Sequence, residues 1–226
     1  MSTANINRRV HIGEVIRNAV VFNLRNAQWD SVNADSLIET VARFFAVLSE
    51  REIEYALVGG IALLQYVEGR NTEDIDLIMA VSALERLPEL TIETQDADFV
   101  RGKFGNLRVD VLLTRNPLFD EVRSHYSTTR KFAEQDIPCA TVEGLVLLKL
   151  YALPSLYRQG SFIRVGIYEN DIATLIHEHD PPLDKLLEKL TRYLNQSDLA
   201  QVKQIAVEMQ QRIRRFEDRI EDREKK

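Results

Sequence analysis

Residues 55–79 read YALVGGIALLQYVEGRNTEDIDLIM, and the order of apolar, glycine and acidic positions in this stretch decides the fold. Tyr55 to Val58 is a short apolar run that ends in Gly59 and Gly60, the pattern of a strand running into a turn. Ile61 to Val67 suits a short helix. Asp74 to Met79 alternates acidic and apolar residues, as a half-buried strand does. Side chains alternate across a strand, so Asp74 and Asp76 share one face and Ile75 and Leu77 the other. Two carboxylates this close repel each other unless a cation sits between them. Ligands that are all oxygen favour Mg2+ or Mn2+. The same pair also suits an exposed strand face that binds nothing. The glycine turn upstream weighs on the first side, because backbone N–H groups approach a phosphate closely where no side chain intervenes. A glycine turn and an acidic pair on adjacent strands would hold a nucleoside triphosphate with its metal.

Further along, Phe99 to Phe104 and Leu107 to Leu113 read as two strands joined by a hairpin turn at Gly105 and Asn106. Asp110 lies between Val109 and Val111 in the second of them, and a carboxylate so flanked needs a partner. A neighbouring strand would bring it beside Asp74 and Asp76 as a third ligand. Upstream, Ser36 and Glu39 have the spacing of a capping box. Leu37, Val41, Phe44, Phe45 and Leu48 recur at helical spacing, which predicts a helix over 36–50. Residues 9–25 are mixed in polarity and suit a helix or an arm.

From Thr141 the pattern turns helical. Thr141 caps an apolar helix that is expected to stop near Pro154. Residues 158–166, with Gly160 and Gly166, read as a loop, and Ile167 to His177 as a helix. Pro181 and Pro182 open a helix over 182–194, and Asp198 begins a last one with Val202, Ile205, Met209, Ile213, Phe216 and Ile220 along one side. The expected division is an arm or helix over 1–35, a strand-rich domain over 36–137 and a helical domain over 138–226, with Pro138 at the junction.

The composition is that of an ordinary soluble protein: of 226 residues, 45% are apolar and 28% charged, which excludes a disordered or fibrous chain. Cys139 is the lone cysteine, so no intrachain disulfide forms. No apolar run approaches the roughly 20 residues that cross a bilayer. The first residues lack the apolar core of a signal peptide. A cytoplasmic protein with no membrane contact is expected. The net charge of −6 speaks against nucleic acid, but its distribution is uneven. Residues 65–100 hold nine carboxylates and two arginines, whereas residues 101–131 hold seven Lys/Arg and three carboxylates. The basic residues are Arg101, Lys103, Arg108, Arg115, Arg123, Arg130 and Lys131; they suit an RNA contact, or surface charge spread over both faces of a hairpin.

Gly59 and Gly60, thirteen further residues, the pair Asp74 and Asp76, and Asp110 in a later strand together resemble the polymerase-β-type minimal nucleotidyltransferase superfamily. The stretch from Val58 to Leu63 and from Gly69 to Leu77 is similar to its AbiEii-like, toxin–antitoxin-associated branch, in which an arginine and a Ser/Thr precede the acidic pair. Residues 139–152, with Lys149 on a helix, and Asn170 to Leu175 resemble downstream parts of that family. The resemblance implies an α+β fold: a nucleotidyltransferase-type mixed sheet flanked by helices, followed by a helical region. It implies a metal-dependent transferase that moves a nucleoside monophosphate from an NTP to a hydroxyl of tRNA, another RNA or a protein. Mg2+ or Mn2+ would be bound by Asp74, Asp76 and Asp110, with Asp110 also helping to deprotonate the attacking hydroxyl.

Gly59, Gly60, Arg70, Thr72 and Lys149 would serve the triphosphate, with Arg70 and Thr72 either steering it or bracing the loop before Asp74. Lys149 also suits a helix lysine that reaches from a core face to water. Asp171 would pair with Lys149, act near the substrate, or sit at a helix N-terminus. A cognate toxin or antitoxin is a further implied partner. Two alternatives remain: a nucleotide-binding, antitoxin-like protein of the same fold without turnover, and a transferase acting on a small molecule such as an antibiotic. His177 and His179 are two apart on a helix and do not share a face, which disfavours a metal site. Trp29 reads as a packing residue.

Overall fold

The computed structural model describes residues 9–22, 34–69 and 71–224. Two compact units divide the chain, one running to Ala140 and the other from Thr141. In the first unit α1 (Ile12–Phe22) and α2 (Ala34–Glu50) precede β1 (Tyr55–Val58), the short helix α3 (Gly59–Leu63) and β2 (Asp74–Met79). There follow α4 (Val81–Glu85), β3 (Leu90–Gln95), β4 (Phe99–Phe104), β5 (Leu107–Leu113), α5 (Pro117–His125), β6 (Ser127–Lys131) and β7 (Asp136–Ala140). The described strands form one seven-stranded sheet in the order β3-β4-β5-β2-β1-β7-β6. β2 runs parallel to β5 and β1 parallel to β7, and the other pairings are antiparallel. The organisation is α+β with a mixed sheet, as expected.

The alternation along β2 divides the sheet into two faces. Ile75, Leu77 and Met79 are fully buried, as are Val109, Val111 and Leu113 beside them on β5. On this face Phe104 packs against Phe44 of α2 with ring centroids 5.1 Å apart. The helix face that the apolar spacing predicts is the buried one, since Leu37, Val41, Phe44, Phe45 and Leu48 are all covered. On the opposite face α5 packs against β2 and β5, and Phe119 meets Phe99 edge-on at 5.4 Å. Asn116 caps α5 by accepting from Leu118 N, with Pro117 in the first turn.

Of the two forms expected for residues 9–25, the helix is the one found: residues 12–22 are helical and pack on α2, and Gly13 N donates to Glu134 Oε1 at 2.9 Å, so the segment is tied to the body of the unit. Other expectations are corrected in this unit. Trp29 lies outside the described residues. α2 begins at Ala34, so Ser36 sits inside its first turn and not at the cap position; its hydroxyl accepts from Asn106 Nδ2 at 3.0 Å. The sheet continues to Ala140, and the two compact units meet in sequence at 140/141. Pro138 misleads because it sits within β7, opposite Thr129 of β6. Proline is tolerated where its missing N–H leaves the ladder intact, and the pairing of β7 with β1 runs through Cys139.

The second unit consists of α6 (Val142–Arg158), α7 (Phe162–His179), α8 (Leu183–Leu190) and α9 (Gln196–Glu224). Thr141 caps α6, accepting from Gly144 N at 3.3 Å. The helix passes through Pro154 and does not stop there, because Leu153, Pro154 and Leu156 are all buried and their packing outweighs the lost backbone bond. Residues 162–166 are helical, not a loop: α7 starts at Phe162 and carries Gly166 inside it. Among the described residues no helix is long and apolar enough to cross a membrane.

Candidate active site

The parallel register of β2 and β5 sets Asp76 directly opposite Asp110, and Asp74 opposite Arg108. The antiparallel register of β1 sets Val58 opposite Asp76, so the chain leaves β1 for Gly59 beside that carboxylate. Gly59 has φ +65°, the left-handed region that glycine enters without strain. A Cβ at Gly59 would overlap the carboxyl group of Asp76. At Gly60 a Cβ would come within 2.8 Å of Thr72 Cβ and 2.9 Å of its hydroxyl. The two glycines therefore do more than turn the chain. Their missing side chains are the space into which Asp76 and Thr72 fit. The pair also opens α3 and is not a separate turn before it.

The three carboxylates are half-buried and lie on the face away from Ile75 and Leu77. Thr72 donates its hydroxyl to Asp74 Oδ1 at 2.5 Å. Arg101 lies opposite Asp110 on β4, with Nε 3.4 Å from Asp110 Oδ2. Arg108 binds Glu73 next to the acidic pair. Arg70 lies outside the described residues.

This geometry bears on a divalent cation in two ways. All-oxygen donors, paired across neighbouring strands and bared by a glycine that admits no side chain, suit Mg2+ or Mn2+. Among the described residues no three acidic, histidine or cysteine side chains converge into a ready-made metal cluster. The donor types suit such an ion.

Lys149 and Asp171 belong to the helical unit, where Lys149 Nζ donates to Asp171 Oδ2 at 2.8 Å and lies 4.4 Å from the centroid of the Tyr168 ring. Both are buried. Asp171 is mid-helix in α7, well past its first turn. His177 accepts or donates toward Glu217 at 3.1 Å and meets Phe216 edge-on, so it packs α7 against α9. Burial pushes the Cys139 thiol up to about 12, which removes it as a nucleophile.

The basic stretch is largely paired on the spot. Lys103 reaches Glu93 at 2.5 Å, Arg101 faces Asp110, Arg108 binds Glu73, and Arg123 holds both Glu54 and Asp120 at 3.0 Å. Arg130 lies over the Tyr66 ring at 5.1 Å. The facing of Arg101 and Asp110 escaped the linear reading, although the turn at Gly105 and Asn106 contains it. Counting outward from Phe104 and Leu107 in an antiparallel hairpin pairs 101 with 110.

No protein-family model matches the chain, and no curated protein does. Among solved structures the chain is similar to an antigenic nucleotidyltransferase-like protein from Paracoccidioides brasiliensis, at 18% identity and a TM-score of 0.45 over 86% of this chain and 94% of that one. It is similar to ANT(2'')-Ia in complex with adenylyl-2''-tobramycin at 12% identity and a TM-score of 0.49, over 73% of this chain and 95% of that one. A solution structure of the antibiotic-resistance factor ANT(2'')-Ia is similar at 12% identity and a TM-score of 0.48, over 83% of this chain and 98% of that one.

Proposed function

We propose that the chain is a metal-dependent nucleotidyltransferase that moves a nucleoside monophosphate from an NTP to an acceptor hydroxyl. The observation that carries this is the register of Asp76 opposite Asp110, with the backbone of Gly59 closed onto Asp76. Asp74, Asp76 and Asp110 would hold the divalent cation, which when bound offsets charge on the triphosphate and on the departing pyrophosphate. Gly59 and Gly60 would offer their backbone N–H groups to the phosphates beside these carboxylates. Arg70, four residues before Asp74, would add a positive charge to the triphosphate. The acceptor oxygen attacks the α-phosphorus, the bond from that phosphorus to the bridging oxygen breaks, and pyrophosphate leaves with the electron pair. The hydroxyl proton would pass to Asp110, which stands beside Asp76 on the neighbouring strand.

The acceptor is an RNA or protein hydroxyl in a toxin–antitoxin setting on the family resemblance. A second acceptor class, a small molecule, is favoured by one observation. An RNA acceptor needs cations for its phosphates, whereas Arg101, Lys103, Arg108 and Arg123 each face a carboxylate of this chain. A protein of this fold without turnover is disfavoured by the presence of all three carboxylates on one sheet face.

The test is incubation with each NTP labelled at the α-phosphate, with Mg2+, against total tRNA, a protein extract and a panel of polyhydroxylated small molecules. Label moving to one acceptor class in a Mg2+-dependent manner is the expected result. Absence of transfer to any acceptor or to the protein itself, together with absence of NTP binding, would sink the enzyme assignment.

A further inference from the structure

We propose that Thr72 is a positioning residue that sets Asp74 for the cation and does not itself touch the nucleotide. This rests on the reading given under Proposed function and changes the role of one of its residues. Thr72 meets Asp74 through its hydroxyl and Gly60 through its whole side chain. Its hydroxyl donates to Asp74 Oδ1 at 2.5 Å, which directs the proton of that hydroxyl to the carboxylate. Its Cβ lies where a side chain on Gly60 would have to go, 2.8 Å from the position of an added Cβ. The glycine turn after β1 and the first carboxylate of β2 are thus joined through one threonine. Asp74 begins β2 and is paired there with Arg108 of β5, so its main chain is held by the sheet while its carboxyl group is oriented from the loop.

A carboxylate that binds a metal is commonly oriented by a hydrogen bond from a neighbour, and loss of that neighbour weakens metal binding by about 10–100-fold. A threonine that instead contacted phosphate would weaken nucleotide binding whether or not metal were present. The two roles therefore separate by measurement. Thr72→Val keeps the branched shape against Gly60 and removes the donor. Thr72→Ser keeps the donor and removes the methyl group.

The experiment titrates Mn2+ by electron paramagnetic resonance into wild type, Thr72→Val and Thr72→Ser, each with a non-hydrolysable NTP analogue. Binding of a fluorescent NTP analogue in EDTA is measured in parallel, with thermal melting as the check on folding. Thr72→Val should lose about tenfold in Mn2+ affinity and bind metal-free nucleotide as wild type does, and Thr72→Ser should recover most of the Mn2+ affinity. Equal Mn2+ affinity in Thr72→Val and wild type overturns the positioning role, as does a Thr72→Ser variant no better than Thr72→Val. A parallel loss of metal-free nucleotide binding in Thr72→Val overturns it in favour of direct contact. A wild-type protein that binds neither Mn2+ nor nucleotide overturns the function itself and this role with it, an outcome the wild-type titration distinguishes from the others.

Discussion

Asp110 and Asp171 each face a cation, one on the open face of the sheet and the other among the helices, and they differ in what the pairing leaves available. The side chain of Asp110 is 30% exposed and that of Arg101 54%. For Asp171 and Lys149 the figures are 5% and 8%. An ion pair in water is worth little and exchanges easily. A buried pair is expensive to desolvate and, once formed, cannot lose one member cheaply. The pair at Asp110 is therefore exchangeable, whereas Asp171 is held to Lys149 in the packing of α6 on α7. A carboxylate and a nearby basic residue look alike in a linear sequence, and burial separates the fixed pair from the exchangeable one.

The largest effect that tests this contrast is on the buried pair. Lys149→Met should destabilise the protein by about 3–5 kcal/mol, because it strands Asp171 in the interior. The double change Lys149→Met with Asp171→Leu should restore most of the loss, as read by urea unfolding. On the sheet face, Gly59→Ala places a side chain at φ +65° and against Asp76. It should cost about 1–3 kcal/mol by the same method, with NTP binding lost.

A smaller effect comes from alkali. Burial pushes the Cys139 thiol from its ordinary 9.0 up to about 12, and the Tyr55 hydroxyl from 10.0 up to about 12. The folded chain keeps protons that the unfolded chain has released, so stability is full below about pH 9 and falls as the pH rises toward 12. The loss from Cys139 should reach about 1 kcal/mol near pH 10, visible as a falling melting temperature that Cys139→Ala flattens. The smallest effect is that of Arg101→Ala, which should change stability by less than about 1 kcal/mol. If it cost as much as Lys149→Met, the contrast between the two regions would be broken.

The parts of the fold that are legible in the sequence are those where burial is one-sided. Asp74 to Met79 announces β2 because its two faces meet different surroundings, and Leu37 to Leu48 announces α2 for the same reason. β3 and β6 are hidden because they are sheet edges with exposed residues on both faces; Thr91 to Gln95 and Thr128 to Lys131 carry no alternation to read. Pro154 and Gly166 suggested breaks that the packing of α6 and α7 overrides. Of the candidate site, the sharing of a face by Asp74 and Asp76 follows from strand periodicity alone. That Asp110 stands opposite Asp76, and that Lys149 meets Asp171, depends on tertiary pairing that no local pattern encodes.

The most direct measurement compares wild type with Asp76→Asn in the transfer of α-labelled nucleotide, at saturating NTP and Mg2+, with the acceptor found under the assay described above. Wild type should transfer label in a Mg2+-dependent reaction. Asp76→Asn should fold normally and transfer about a thousandfold more slowly, the size of several kcal/mol of lost transition-state stabilisation. Transfer by Asp76→Asn at the wild-type rate would contradict the assignment of the acidic sheet face as the catalytic centre.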